Sequence, residues 1–377
     1  MKKIHVLYLL ISITWLACQS TESQQESAQE SETINLVKYS NRFSMEQADG
    51  YQMVRVNTPW PEAKEAFTYV LYPKGNDLPE GPKDAVYLPI PLNKLVITST
   101  THLSFLEALG ALDQVAGMSG TRYAYSSTAN ALIAAKDIQE VGLENGLDYE
   151  KVLALECDAV CTYAISANTS IQEMANMGLR PIVMAEFMDH HPLGRAEWIK
   201  FFGALVGKPQ LADSIFQERE KSYNALKNSV AELERPKVFT GMGYEGTWYV
   251  PSGGSYVAQH ITDAGGDYLW KETEGHLSLP LDLEAVFEKA VDADRWINVG
   301  QVKTLEDMIK VDPRYKNFES WKTGQVFNGS KRVSENGGYD IYESAVVYPD
   351  RVLADLIEIF HPTSLPGDSL TYYLQLQ

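Results

Sequence analysis

Between Leu211 and Glu234 the chain reads LADSIFQEREKSYNALKNSVAELE, with no glycine or proline until Pro236. At 1.5 Å per residue this run predicts one helix of about 36 Å, longer than most connectors inside a compact domain. On both sides of it, short apolar strands alternate with helices of roughly ten residues, the pattern of parallel sheets with helices on their faces. The fold expected is α/β, with two lobes, each a mainly parallel sheet flanked by helices. One long backbone helix, at 209–234, joins them beside a shared cleft.

The two halves echo each other. DYEKVLALECDAVCTYA in the first and DLEAVFEKAVDADRWINVG in the second both read as an acidic-start helix, a turn containing Asp, then a strand. On this reading the first lobe occupies 34–208 and the second 235–377. Residues 34–92 form a β-rich extension of the first lobe, where GYQMVRVNTPW alternates apolar and polar residues and FTYVLY stops at Pro73-Lys74-Gly75.

Residues 1–17 carry the marks of an export signal. Lys2 and Lys3 precede an apolar stretch, Val6 to Ala17, that is too short to span a membrane comfortably. Ala17 directly precedes Cys18, the arrangement for cleavage before a lipid-modified cysteine, although Trp15 stands where such signals usually carry Leu. Residues 18–33, rich in Ser, Gln and Glu, cannot bury a core and read as a flexible tether. The expected location is the bacterial cell envelope, on the periplasmic face, with Cys18 as the lipid anchor and no other membrane segment. Cys157 and Cys161, four apart in an expected strand, should lie about 13 Å apart, too far for a disulfide. The net charge of −18, from 50 acidic and 32 basic residues, opposes nucleic-acid binding.

Sequence motifs for catalysis are weak. GMGYEG, from Gly241 to Gly246, matches G-x-G-x-x-G but runs into TWYVPSGG instead of a helix that could receive a pyrophosphate. GALVGK lacks one residue of a phosphate loop, neither G-x-S-x-G nor H-E-x-x-H occurs, and the seven histidines lack metal-site spacing. The loops at the predicted strand ends are more informative. His102 follows the strand KLVITSTT at the carboxyl edge, where open α/β sheets bind ligands. Further loops bring Tyr123, Tyr163, Glu186, Tyr244, Trp248 and Tyr339, and Tyr256 opens the first helix of the second lobe. Tyr and Trp at such tips can stack on a flat or bulky ligand. Arg122 can hold a carboxylate or catecholate through two parallel hydrogen bonds. In SGGSYVAQHITDAGG the first glycine pair should turn the chain into that helix and the second should end it.

From about Leu95 onward the chain resembles the substrate-binding proteins of ABC importers for iron–siderophore complexes, haem and cobalamin. The likeness rests on KLVITSTTHLSFLEALGALDQVAGMSG, EVGLENGLDYEKVLALECDAV, the backbone helix and SGGSYVAQHITDAGG. It departs where Leu-x-Pro-Asp reads Leu155-Glu156-Cys157-Asp158, and where the permease-docking glutamate of the first helix is Ser104. Glu107 and Asp263 are the docking candidates that remain. The resemblance implies a monomeric binding protein that is no enzyme and holds no cofactor of its own. It would take an iron chelate, haem or cobalamin between its lobes and pass it to the membrane subunits of an ABC permease, with little hinge motion. Two alternatives stay open at this point. One is a receptor for bare zinc, manganese or iron using His102, Glu186 and His190. The other is an exported enzyme, against which stands the lack of any nucleophile–base pair or metal signature.

Overall fold

The computed structural model describes residues 35–143, 146–166, 170–362, 364 and 370–377. The expected signal sequence, Cys18 and the tether lie outside them. Two parallel sheets organise the rest. In the first lobe the strand order is Pro181–Val183, Ala159–Thr162, Leu95–Ile97, Val115–Met118 and Gln139–Glu140, all parallel. Leu95, Val96 and Ile97 are fully buried, as expected of a central strand with both faces covered. The second lobe runs Asp267–Tyr268, Lys237–Thr240, Arg295–Ile297 and Val326–Asn328 in parallel, and Leu374–Gln375 closes one edge antiparallel.

Each sheet is wound from its middle outward. The first strand of the first lobe, Leu95–Ile97, sits between Val115–Met118 on one side and Ala159–Thr162 on the other. In the second lobe Lys237–Thr240 sits between Asp267–Tyr268 and Arg295–Ile297. The strand order reverses at both places, and the connecting loops splay apart at the carboxyl ends and leave a crevice.

The backbone helix, Pro209–Ser229, opens on a proline in its first turn and is about 31 Å long. Ala212 and Phe216 belong to the first-lobe core and Tyr223 to the second-lobe core. The helix thus rivets both lobes. It stops short of Glu234. Glu232 and Glu234 would sit at the negative end of the helix dipole, and Arg235, preceding Pro236, is disfavoured in helical backbone.

The extension is part of the first lobe. Its four strands, Phe43–Ala48, Tyr51–Val56, Phe67–Pro73 and Val86–Ile90, send Phe43, Val54, Tyr69 and Leu88 into the first-lobe core. The Tyr69 hydroxyl accepts the Val183 N–H at 2.8 Å, so it occupies a donor on the edge strand of the parallel sheet. Cys157 lies just ahead of strand Ala159–Thr162 instead of within it, and both Cys157 and Cys161 are free thiols.

The paired glycines behave as the sequence predicts. A Cβ on Gly253 would lie 2.1 Å from the Lys271 carbonyl oxygen, and one on Gly254 would lie 2.5 Å from that of Gly275. Ser255 then caps helix Tyr256–Asp263, and Gly265, with φ +78°, ends it. GMGYEG forms no phosphate seat. Gly243–Tyr244 and Thr247–Pro251 pair as a hairpin around Glu245 and Gly246, both with positive φ.

Candidate ligand-binding site

The carboxyl ends of both sheets are hollow. A cavity of 400 Å³ on the first lobe is lined by Thr98, Ser119, Thr162, Tyr163 and neighbours, and so opens at its switch point. It shares Thr98, Ser119, Gly120 and Tyr123 with a cavity of 330 Å³ whose far wall is Gln301, Gly337, Gly338, Tyr339 and Tyr342 of the second lobe. Tyr342 also borders a third cavity, of 270 Å³, which runs under Tyr249 and Tyr256 to Thr240, Gly241, Ile297 and Asn298 at the second switch point. The three hollows therefore adjoin one another from lobe to lobe, with Tyr342 as the wall between the second and third, and each is within the size range of small-molecule sites or of one arm of a larger ligand.

Their walls are tyrosines and small polar groups. Tyr123, Tyr163, Tyr249 and Tyr342 are exposed aromatics at their rims. Asn298 has φ +58°, a conformation rare outside glycine, and its side-chain oxygen accepts the Tyr373 hydroxyl at 2.9 Å.

Four of the expected contact residues line these hollows: Tyr123, Tyr163, Tyr256 and Tyr339. Arg122 stands beside them with its guanidinium 4.6 Å over the Tyr123 ring, and Tyr244 points outward from its hairpin. Three expectations are corrected. His102 is fully buried, because it shares the inward helix face with Phe105 and Leu106, and its ring meets Phe202 at 5.7 Å. Glu186 is buried as well and accepts the Thr101 hydroxyl at 2.7 Å. Trp248 alternates with exposed Tyr249 on its strand and therefore faces the core, where its indole N–H donates to the Thr240 carbonyl at 2.9 Å.

The metal set does not assemble. His102 and Glu186 lie 4.0 Å apart inside the core, while His190 stacks on His276 at 4.4 Å next to the Arg42 guanidinium. Burial and Arg42 push His190 down to about 4. Among the described residues no three His, Cys, Asp or Glu side chains are grouped to hold a metal ion. One docking candidate is corrected as well. Asp263 is buried and holds the Tyr223 hydroxyl at 2.9 Å and Lys227 at 2.9 Å, since it sits on the inward face of its helix. Glu107 is half-buried and accepts the Ser126 hydroxyl.

One carboxylate fastens the lobes beside the cleft. Glu343 of the second lobe accepts the backbone N–H groups of Tyr125 and Ser126 at 2.7 and 2.8 Å. Burial, with Asp340 and Glu107 nearby, pushes its pKa up to about 7 despite those hydrogen bonds. A carboxyl raised in the fold above its unfolded value of 4.5 binds more protons folded than unfolded across that window. Its contribution to stability is full below about pH 4.5 and is lost as pH rises through about 7. Thermal melts of Glu343→Gln should therefore show less decline in Tm between pH 5 and pH 8 than the parent, on the order of a few degrees. Parallel pH profiles would remove Glu343 from this role.

Comparisons with known proteins point the same way. The periplasmic binding protein family model matches residues 95–333. An uncharacterized lipoprotein of Methanocaldococcus jannaschii is 29% identical over 76% of this chain and 69% of its own length. A periplasmic haem-binding protein of Pseudomonas aeruginosa superposes with TM-score 0.58 at 17% identity, over 76% of this chain and 98% of that one. The periplasmic vitamin B12-binding protein of Vibrio cholerae gives TM-score 0.53 at 11% identity, over 72% and 99%. The superpositions show that this chain shares its fold with these two solved structures. This chain belongs to the periplasmic binding protein family.

Proposed function

We propose that this protein is a lipid-anchored receptor that captures an iron complex, haem or cobalamin between its lobes and delivers it to an ABC permease. The observation that carries the reading is the set of adjoining hollows at both switch points, lined by tyrosines from each lobe. Phenol rings stack on the flat or bulky faces of such ligands while their hydroxyls fix orientation. In this reading Tyr123, Tyr163, Tyr256, Tyr339 and Tyr342 touch the ligand, and Cys18 carries the lipid that keeps the receptor on the periplasmic face. The similarity to proteins described as haem- and vitamin B12-binding supports the ligand class.

Native mass spectrometry and a visible absorption spectrum of protein purified from its own envelope test this. The expected result is a one-to-one complex with a coloured metal compound. Protein that emerges colourless and takes up none of haem, ferric chelates or cyanocobalamin overturns the reading. Tyr342 borders two of the hollows and is largely exposed, so its ring is available to a ligand and unneeded by the core. Tyr342→Ala should weaken binding about tenfold, the effect of removing an aromatic anchor, with Tm unchanged. Equal affinity would take Tyr342 out of the site.

A further inference from the structure

The inner hollow of the second lobe contains a cation without a counter-ion. Arg195 lines it from helix Pro192–Glu197, in the connection between the lobes, with its guanidinium 4.1 Å over the Tyr256 ring. Its Nε is buried and has no hydrogen-bond partner, and among the described residues no carboxylate pairs with it. Among the described residues no Asp or Glu lines the cavity, whose other polar groups are the hydroxyls of Thr240, Ser278 and several tyrosines and the amides of Asn298 and Asn328. His260 lines it too, with a buried Nε2 that also lacks a partner. Burial and the Arg195 charge hold this imidazole down at about 3, so it is neutral and leaves the guanidinium as the cavity's only full charge among the described residues.

A half-buried guanidinium whose Nε is shut from water without a hydrogen-bond partner is costly in a protein of net charge −18, where acidic partners abound. It is explicable as a group that meets its counter-ion on binding. The guanidinium fork matches a carboxylate with two parallel hydrogen bonds, and Tyr256 holds the fork flat. The cavity, at 270 Å³, admits an arm of a larger ligand whose body lies in the adjoining hollows.

We propose that Arg195 selects ligands bearing a free carboxylate, and that this arm enters the second-lobe hollow between Arg195 and His260. The inference rests on the cleft being the ligand site. It narrows the ligand to a carboxylate-bearing tetrapyrrole or iron chelate, in preference to a corrinoid whose side chains are amides.

The test is equilibrium binding of haem, haem dimethyl ester and cyanocobalamin to the parent protein, Arg195→Gln and Arg195→Lys. The parent should bind the diacid at least tenfold more tightly than the diester. Arg195→Gln should bind both alike, at the diester's affinity, and Arg195→Lys should keep part of the preference. If Arg195→Gln fails to fold in thermal melts, the parent's discrimination and the lysine variant decide. Equal affinity of the parent for diacid and diester, a preference for cyanocobalamin, or undiminished discrimination by Arg195→Gln each overturns the carboxylate assignment and leaves the transport reading standing. A parent that binds none of the three, and no carboxylate-bearing ferric chelate such as ferric citrate, overturns both.

Discussion

Replacing Trp296 with alanine is expected to cost the second lobe about 3–5 kcal/mol, the range for deleting a large buried aromatic. Trp296 is fully buried, with ring centroids of Phe239, Phe318, Tyr315 and Trp248 at 4.8, 5.0, 5.4 and 5.7 Å. Removing the indole opens a void that these stiff rings cannot collapse to fill. It also removes the donor to the half-buried Gly241 carbonyl, now 2.7 Å away. Gly241 lines the inner hollow, so the loss should reach the site as weaker binding as well. Urea unfolding measures the first effect and ligand titration the second. A loss under about 1 kcal/mol would mean that this cluster does not anchor the lobe.

The second large effect is expected at Glu197. Its fully buried carboxylate accepts the backbone N–H groups of Lys38, Tyr39 and Ser40 at 2.8, 2.7 and 3.1 Å, and Lys200 at 3.0 Å. The Tyr39 ring packs against both cores, so this strap of chain crosses the lobe junction. In Glu197→Ala three strap donors lose their acceptor together, at a cost of about 3–5 kcal/mol for a broken buried charged network. Hydrogen exchange should become fast at residues 38–40 well before the sheets open. Because Arg195 rides on the same short helix, ligand affinity should fall too. Unchanged protection at the strap would show that Glu197 is not what holds it.

Much of this fold was legible because its signals are local. A run free of glycine and proline marks the backbone helix, and a Ser-capped helix closed by a Gly pair marks the opening of the second lobe. The parallel strands read clearly because burial on both faces demands continuous apolar residues, as in Leu95-Val96-Ile97. Placement at the strand ends was legible too and put Tyr123, Tyr163 and Tyr339 on the cavity walls, while Tyr256 followed from the helix start after the first glycine pair.

Side-chain direction was harder. His102 sits at the right edge, but each helical residue turns by 100°, and the face it shares with Phe105 points inward. Trp248 was readable in hindsight: Val250, two residues on, is equally buried, and Tyr249 between them is exposed. Tyr342 lies three residues beyond Tyr339, but only the turns around Asp340 decide how much of it the cleft receives. Arg195 carried no signal, since a lone arginine in a helical stretch ordinarily finds an acid nearby. Its missing partner is a fact of three dimensions.

Hydrogen exchange of the ligand-bound protein tests the central claim most directly. Binding of haem or a ferric chelate should protect Thr98–Thr101 and Ser119–Tyr123 of the first lobe together with Gly337–Tyr342 of the second, because those segments face the same hollow. Protection confined to one lobe, or lying away from both strand-end edges, would contradict a site shared between them.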